Sequence, residues 1–211
     1  MSMTEPAPII YVVDDDPDVL RAVERLLASV GLESATFRSP REFLEHCDRN
    51  AAGCLVLDLA MPGLSGLELQ KMLEQQASHL PIIFLTGRGD IAASVQAMKH
   101  GASDFLTKPV DDALLIATIH DALARDQALR PARIEQERIA KRLATLTKRE
   151  RQVLEHVVAG RLNKQIAADL GTVEKTIKYH RANLMRKMGV RVVADLVKVA
   201  ERAGVGSTPG T

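Results

Sequence analysis

The chain has 211 residues, of which 46% are hydrophobic and only 3% aromatic. That allows one large or two small domains with mainly aliphatic cores, and no apolar run reaches membrane-spanning length, which excludes a helical membrane protein. The net charge of +1 hides an uneven distribution: residues 1–126 hold 19 acidic and 10 basic side chains, net −9, and residues 127–211 hold 8 and 18, net +10.

This asymmetry points to two domains, with the basic one facing a polyanion. Charge alone does not separate that from a soluble domain that happens to be basic. Met1 to Pro8 lacks a basic segment followed by an apolar one, so no secretory signal is expected. The expected location is the cytoplasm, with Cys47 and Cys54 as reduced buried thiols rather than a bridge.

In the acidic half, Ile9 to Val13 is a short apolar strand running into Asp14-Asp15-Asp16-Pro17. A helix follows, with Val19, Leu20, Val23, Leu26, Leu27 and Val30 at helical spacing, ended by Gly31. Ser34 to Phe37 predicts a second strand, and Ser39-Pro40-Arg41-Glu42 a capping box opening a helix to about Cys47. Cys54 to Leu57 is a continuous apolar run suited to a parallel strand buried on both faces, and Asp58 stands at its carboxyl end. Pro62, Gly63, Ser65 and Gly66 form a loop, and Leu67, Leu69, Met72 and Leu73 mark the next helix. Pro81 to Leu85 predicts a fourth strand. A helix from about Ile91 to His100 follows, capped by Asp90 and stopped by Gly101. Asp104 to Leu106 is the fifth strand, and a last helix starts near Asp111. Five such strand–helix units predict an α/β fold, a five-stranded parallel doubly wound sheet with helices on both faces.

On that frame Asp14 and Asp15 end the first strand, Asp58 the third and Thr86 the fourth, and Lys108 follows the fifth. All meet at one sheet edge, where open α/β sheets bind ligands. Three clustered carboxylates repel one another and require a cation. Oxygen-only ligands suit Mg²⁺, which keeps waters and takes phosphate oxygens. The Thr86 hydroxyl and the Lys108 ammonium complete a phosphate site, and a carboxylate beside the metal can carry an aspartyl phosphate. Taken singly, the acidic run is a solvated turn, Thr86 a loop cap and Lys108 a surface charge. A phosphatase with an Asp nucleophile of the haloacid-dehalogenase type wants a second Asp two residues on, where this chain has Ala60. A dinucleotide-binding oxidoreductase wants a glycine-rich turn after the first strand, where this chain is acidic.

Residues 9–125 resemble a bacterial two-component receiver domain. The resemblance rests on Val12-Val13-Asp14-Asp15-Asp16, Leu57-Asp58-Leu59-Ala60-Met61-Pro62-Gly63-Leu64-Ser65-Gly66, Leu85-Thr86-Gly87 and Phe105-Leu106-Thr107-Lys108-Pro109. It implies that Asp58 accepts phosphate from a cognate sensor histidine kinase, with catalysis limited to this self-modification. Asp15, Asp58 and the Ala60 carbonyl would bind Mg²⁺, and Asp14 would act through water. Thr86 and Lys108 would grip the phosphoryl group, Phe105 would change rotamer as Thr86 moves, and Lys108–Pro109 would be a cis peptide. Close relatives commonly carry Arg at position 60; Ala60 leaves a backbone ligand intact.

A partly helical linker is expected over 126–145, interrupted at Pro131. Thr147-Lys148-Arg149-Glu150 is a second capping box, opening a helix that Gly160 ends. Asn163 is placed to cap a short helix ended by Gly171, and a longer basic helix runs to Met188, stopped by Gly189. A fourth helix spans about Val193 to Ala203. A short helix and a longer basic one around a glycine turn make a helix-turn-helix pattern.

Residues 146–204 resemble the LuxR-type output domain through Leu146-Thr147-Lys148-Arg149-Glu150, Val158-Ala159-Gly160, Asn163-Lys164-Gln165-Ile166-Ala167, Thr176-Ile177-Lys178-Tyr179-His180 and Lys187-Met188. With the receiver, nearly the whole chain resembles FixJ-type regulators. The resemblance implies that Lys178, Tyr179 and Ala182 face the groove of double-stranded DNA, with Lys164, Lys175, Arg181 and Arg186 as phosphate contacts. The family often has Ser where this chain has Val173, so Thr172 is the expected cap. A Ser is also usual near Val192, so a different start is expected for the fourth helix. Receiver 1–125, linker 126–145, DNA-binding domain 146–204 and flexible tail 205–211 is the expected layout. Phosphorylation is expected to alter the face around Ile91–Leu106, to drive homodimerisation or release the basic domain, and so to engage the transcription machinery. The competing possibility is a phosphorylation-independent, protein-binding receiver with a helical tail that does not bind DNA.

Overall fold

The computed structural model describes residues 7–47, 52–87 and 91–205. The expected Asp90 cap and the tail residues 206–211 lie outside them. The chain divides into two compact units between Leu129 and Arg130.

In the first unit the strands are β1 (Ile9–Val13), β2 (Ser34–Phe37), β3 (Gly53–Asp58), β4 (Ile82–Thr86) and β5 (Asp104–Thr107). The helices are α1 (Pro17–Ser29), α2 (Pro40–His46), α3 (Gly66–Gln75), α4 (Ile91–Lys99) and the start of α5 (Asp112–Ala144). The strands pair in the order β2-β1-β3-β4-β5, and every pairing is parallel. Side chains alternate across a strand, so β1, β3 and β4 each supply both cores. Tyr11, Val13, Leu55, Leu57 and Phe84 pack with Phe43 of α2 and with Leu69 and Leu73 of α3. Ile10, Val12, Val56, Ile83 and Leu85 pack with Leu20, Val23 and Leu27 of α1 and with Leu115 and Ile119 of α5. Both faces are covered, which is why β3 is one unbroken apolar run.

Local chemistry sets the helix starts. Asp16 caps α1 by accepting the Asp18 N–H at 2.8 Å, and Ser39 caps α2 through the Glu42 N–H. Ser65 and Glu68 form a reciprocal capping box on α3, a Ser-x-x-Glu signal that was present in the sequence and overlooked. The far end of α4 is tied to α3 across the chain: buried Gln70 donates its amide to the Ala97 and His100 carbonyls at 3.0 and 3.1 Å.

Helix α5 corrects one expectation. Pro131 does not interrupt it but lies inside a helix of 33 residues, so the segment expected to be partly helical is helical to Ala144. Proline removes one N–H bond and disfavours a helix interior by about 3 kcal/mol. Here Gln127, whose carbonyl loses that bond, is exposed to water, as is Pro131. The flanking Ala, Leu and Arg residues are strong helix formers.

The second unit contains α6 (Lys148–Val158), α7 (Asn163–Asp169), α8 (Glu174–Met188) and α9 (Val193–Arg202). They close around Leu146, Val153, Leu154, Val157, Ile166, Ile177, Leu184, Met188 and Leu196. Thr147 and Glu150 form the expected capping box on α6, and α9 starts at Val193 as first expected, behind an uncapped Val192. Two expected caps are not used. Leu162, not Asn163, precedes α7, and its N–H is met by the Gln165 side chain at 2.9 Å. Val173, not Thr172, precedes α8, with no side-chain cap. Asn163 is instead engaged by Arg181 Nη1 at 2.8 Å.

One close approach in the first unit has a mutational consequence. A Cβ on Gly66 would lie 2.4 Å from the Asp58 carbonyl oxygen and 3.0 Å from the Phe84 ring. Gly66→Ala should therefore destabilise the first unit by roughly 1–3 kcal/mol, seen as a lower urea midpoint; an unchanged midpoint would show that the loop yields freely.

Candidate functional site

The chain order reverses between neighbouring β1 and β3, which opens a crevice at their carboxyl ends. The expected residues collect there. Asp14, just past β1, is 1% exposed, and Asp58, which ends β3, is 6% exposed, while the neighbouring Asp15 is open to solvent. The Asp16 N–H fixes Asp14 by donating to its Oδ1 at 2.9 Å. The Leu59 N–H extends the ladder past Asp58 by donating to Leu85 O at 3.0 Å. The Lys108 N–H likewise donates to Thr86 O at 2.7 Å, which fixes the loop after β5 beside buried Thr86. The Lys108–Pro109 peptide is cis.

The Lys108 ammonium closes the site. Nζ donates to Asp14 Oδ2 at 2.6 Å and lies 2.9 Å from Asp58 Oδ1. Carboxylate oxygens of Asp14, Asp15 and Asp58 all lie within 4.8 Å of one another. One ammonium against three carboxylates leaves excess negative charge. The donor set is all oxygen, and exposed Asp15 gives access from solvent, so these residues fit a hard divalent cation that keeps part of its water.

Burial pushes the Asp58 carboxyl above its ordinary value, with Asp14 and Asp15 adding to the rise and Lys108 opposing it. Burial alone would lower the Lys108 ammonium; its bonds to Asp14 and Asp58 outweigh this and raise it. The lysine is thus held charged, and a cation beside Asp58 would favour its ionised form. Phe105 lies on β5 opposite Phe84 in register and is exposed. Ala60 is exposed two residues beyond Asp58.

In the second unit α8 shows two faces. Ile177, Leu184 and Met188 are buried, while Lys175, Lys178, Tyr179, Ala182 and Arg186 are exposed, as is Lys164 on α7. Arg181 is half-buried and holds Asn163. Five contacts escaped the sequence reading. Lys178 Nζ lies 2.9 Å from Glu174, an i,i+4 pair whose spacing was visible. Arg142 donates to Met188 O at 2.8 Å, and Arg149 to Leu170 O at 2.7 Å, placing cations at the carboxyl ends of α8 and α7. Lys187 Nζ reaches Glu150 Oε2 at 2.6 Å and Thr145 O at 2.9 Å. These partners are too distant in sequence for any local signal.

The Glu150–Lys187 pair ties α6 to α8, and its pH dependence has a definite sign. Burial raises the Glu150 carboxyl, but Lys187 and the Thr147 N–H and hydroxyl hold it below its ordinary value of 4.5. A carboxyl depressed in the folded state stabilises above its unfolded value and loses that contribution as pH falls through the folded one. Hydrogen exchange of α8 amides should show Glu150→Gln less protected than wild type at pH 7, with the gap narrowing below about 4.5. A gap independent of pH would exclude the pair as its source.

With this geometry in place, likeness to known proteins is informative. The response regulator receiver domain family matches residues 10–120, and the luxR family of bacterial regulatory proteins matches residues 144–200. The chain is 44% identical over 202 residues to response regulator protein TodT of Pseudomonas putida, covering 95% of this chain and 88% of that protein. It is 43% identical over 203 residues to transcriptional regulatory protein FixJ of Azorhizobium caulinodans, covering 96% of each. The solved response regulator StyR matches with a TM-score of 0.76 at 44% identity, over 93% of this chain and 100% of that one. The chain belongs to the response regulators of two-component systems, in the group that joins a receiver domain to a LuxR-type DNA-binding domain and regulates transcription. The receiver implies a histidine kinase partner and the second domain implies DNA binding, against a helical tail without that role. Among the described residues no helix is long and apolar enough to cross a membrane.

Proposed function

We propose that Asp58 is the phosphoacceptor and that its phosphorylation controls DNA binding by the basic half of the chain. The observation that carries this is the Lys108 ammonium bridging Asp14 and Asp58 at 2.6 and 2.9 Å, with Asp15 completing the acidic cluster. An Asp58 carboxylate oxygen attacks the phosphorus of a phosphohistidine on the kinase. The new P–O bond forms as the P–N bond breaks, and the histidine nitrogen leaves with the electron pair. Asp14, Asp15, Asp58 and the Ala60 carbonyl would hold Mg²⁺, Asp14 through water; when bound, the ion offsets charge on the phosphoryl oxygens. The reaction stops at the protein's own side chain, so the chain is not an enzyme in the ordinary sense.

Phosphorylation adds a charge of roughly −1.5 to −2. The Thr86 hydroxyl and the Lys108 ammonium then close on the phosphoryl oxygens, and Phe105 follows Thr86. The change reaches the face around residues 91–106, where two copies associate. In our proposed layout residues 1–125 are the receiver, 126–145 the linker, 146–204 the DNA-binding domain and 205–211 the tail. The dimer reads DNA in the cytoplasm and engages the transcription machinery. Lys178, Tyr179 and Ala182 face base edges, and Lys164, Lys175, Arg181 and Arg186 contact phosphates. The exposed face of α8, opposite buried Ile177, Leu184 and Met188, supports this assignment.

Two sets of measurements test the proposal. Asp58→Asn should abolish acid-labile phosphate incorporation from acetyl phosphate with Mg²⁺, and stoichiometric labelling of that variant would remove Asp58 from the role. Lys108→Ala should keep metal binding but lose the rise in DNA affinity on phosphorylation, because it deletes the counter-charge of the phosphate and not a metal ligand.

On DNA, Lys178→Ala should weaken a preferred site by roughly 1–3 kcal/mol. Lys175→Ala should weaken all duplexes alike and flatten the salt dependence by about one unit. Titrations on preferred and random duplex at several salt concentrations separate the two, and equal losses on both duplexes for Lys178→Ala would end its base-reading role.

A further inference from the structure

Glu174 is the first residue of α8, and its carboxylate lies 2.9 Å from Lys178 Nζ. Both side chains are exposed, and Ala182 continues the same row one turn further on, also exposed. Local helix physics accounts for part of this. An acid in the first turn suits the helix dipole, and an exposed i,i+4 pair contributes little to stability. Both effects are small at an exposed site, and neither bears on DNA. The half of the chain beyond residue 126 carries 18 basic side chains against 8 acidic ones, and Lys175, Lys178 and Arg186 share the exposed side of α8. A carboxylate on that side is repelled by every DNA phosphate.

A carboxylate is an acceptor only, so the backbone of DNA, whose phosphate oxygens also accept, offers it nothing. The major groove offers it two amino donors, cytosine N4 and adenine N6. Adenine sets its acceptor N7 beside N6, which repels a carboxylate and suits an amide. Cytosine N4 is therefore the partner that compensates the repulsion. The amino-terminal residues of a recognition helix are those that reach base edges.

We infer that Glu174 is a specificity-determining residue of the DNA interface, accepting from cytosine N4 and holding Lys178 toward the guanine of the adjacent base pair. This rests on the groove-facing assignment of Lys178 proposed above. On a wrong sequence the Glu174 charge is uncompensated and opposes binding; on the right one it is satisfied. The residue separates the two affinities by weakening the wrong one.

The test is selection of binding sites from randomised duplexes by the full-length chain treated with acetyl phosphate and Mg²⁺, for wild type, Glu174→Gln and Lys178→Ala. Wild type should select a cytosine next to a guanine in each half-site, and Lys178→Ala should lose the guanine. Glu174→Gln should lose the cytosine or exchange it for adenine, which Gln pairs with. Its affinity for random duplex should rise, its salt dependence should steepen by about one unit, and its ratio of specific to random affinity should fall about tenfold. Retention of the cytosine by Glu174→Gln, or equal changes on selected and random duplex, would overturn the inference even with α8 folded by circular dichroism. If Lys178→Ala also leaves the selected sequence unchanged, the groove-facing assignment itself falls and takes the inference with it. If Lys178→Ala loses the guanine while Glu174→Gln keeps the cytosine, only the inference about Glu174 falls.

Discussion

One ammonium among three carboxylates is the constraint on which the acidic site of the first unit depends. Asp14 and Asp58 are almost fully removed from water, and like charges so placed are tolerated only with a counter-charge at hydrogen-bonding distance. Lys108 supplies it, bonded to both. The rest of the first unit brings these groups together from positions far apart in sequence. A parallel sheet with helices on both faces puts the carboxyl ends of all its strands on one edge, and the reversal between β1 and β3 leaves that edge open. Gly66 permits the loop after β3 to pass against the Asp58 carbonyl, and the Lys108 amide is pinned to the end of β4.

The same electrostatics make the site responsive on the proposed function. Asp58 is raised by burial and by its acidic neighbours, so its ionised form depends on the charge around it. A phosphoryl group on Asp58 would add negative charge where Lys108 is already engaged, and the lysine and Thr86 would have to rearrange around it. Elsewhere the fold resists rearrangement. Gln70 ties the carboxyl end of α4 to α3, so motion along α4 would be concentrated away from that end. In the second unit, Lys187 and Glu150 lock α8 to α6, which gives the exposed basic face of α8 a fixed support.

Much of this was legible in the sequence, for reasons that particular residues make clear. Strands such as Cys54 to Leu57 are readable because burial on both faces forces a continuous apolar run. The site was readable because Asp14 and Asp58 each close such a run and Lys108 follows the short fifth strand, and topology does the rest. Pro131 misled because its intrinsic effect is known, whereas the exposure of Gln127, whose carbonyl is freed, is a property of the fold. Asn163 and Thr172 are good caps by type, yet Asn163 is engaged by Arg181 from another helix and the chain enters α8 one residue beyond Thr172. The bonds from Lys187 to Glu150 and from Gln70 to Ala97 span 37 and 27 residues, and no local pattern announces them. The Ser65–Glu68 box and the Glu174–Lys178 pair are different: their spacing was readable and was passed over beside stronger signals.

The most direct test of the account is the affinity of the intact chain for its preferred duplex, measured with Mg²⁺ alone and with Mg²⁺ plus fluoroberyllate, which mimics a phosphoryl group on a carboxylate. If charge at Asp58 governs the basic half, fluoroberyllate should raise the affinity together with the dimer fraction by sedimentation. Identical binding curves, with fluoroberyllate shown by fluorine resonance to be seated on the protein, would contradict the link between the acidic site and DNA binding.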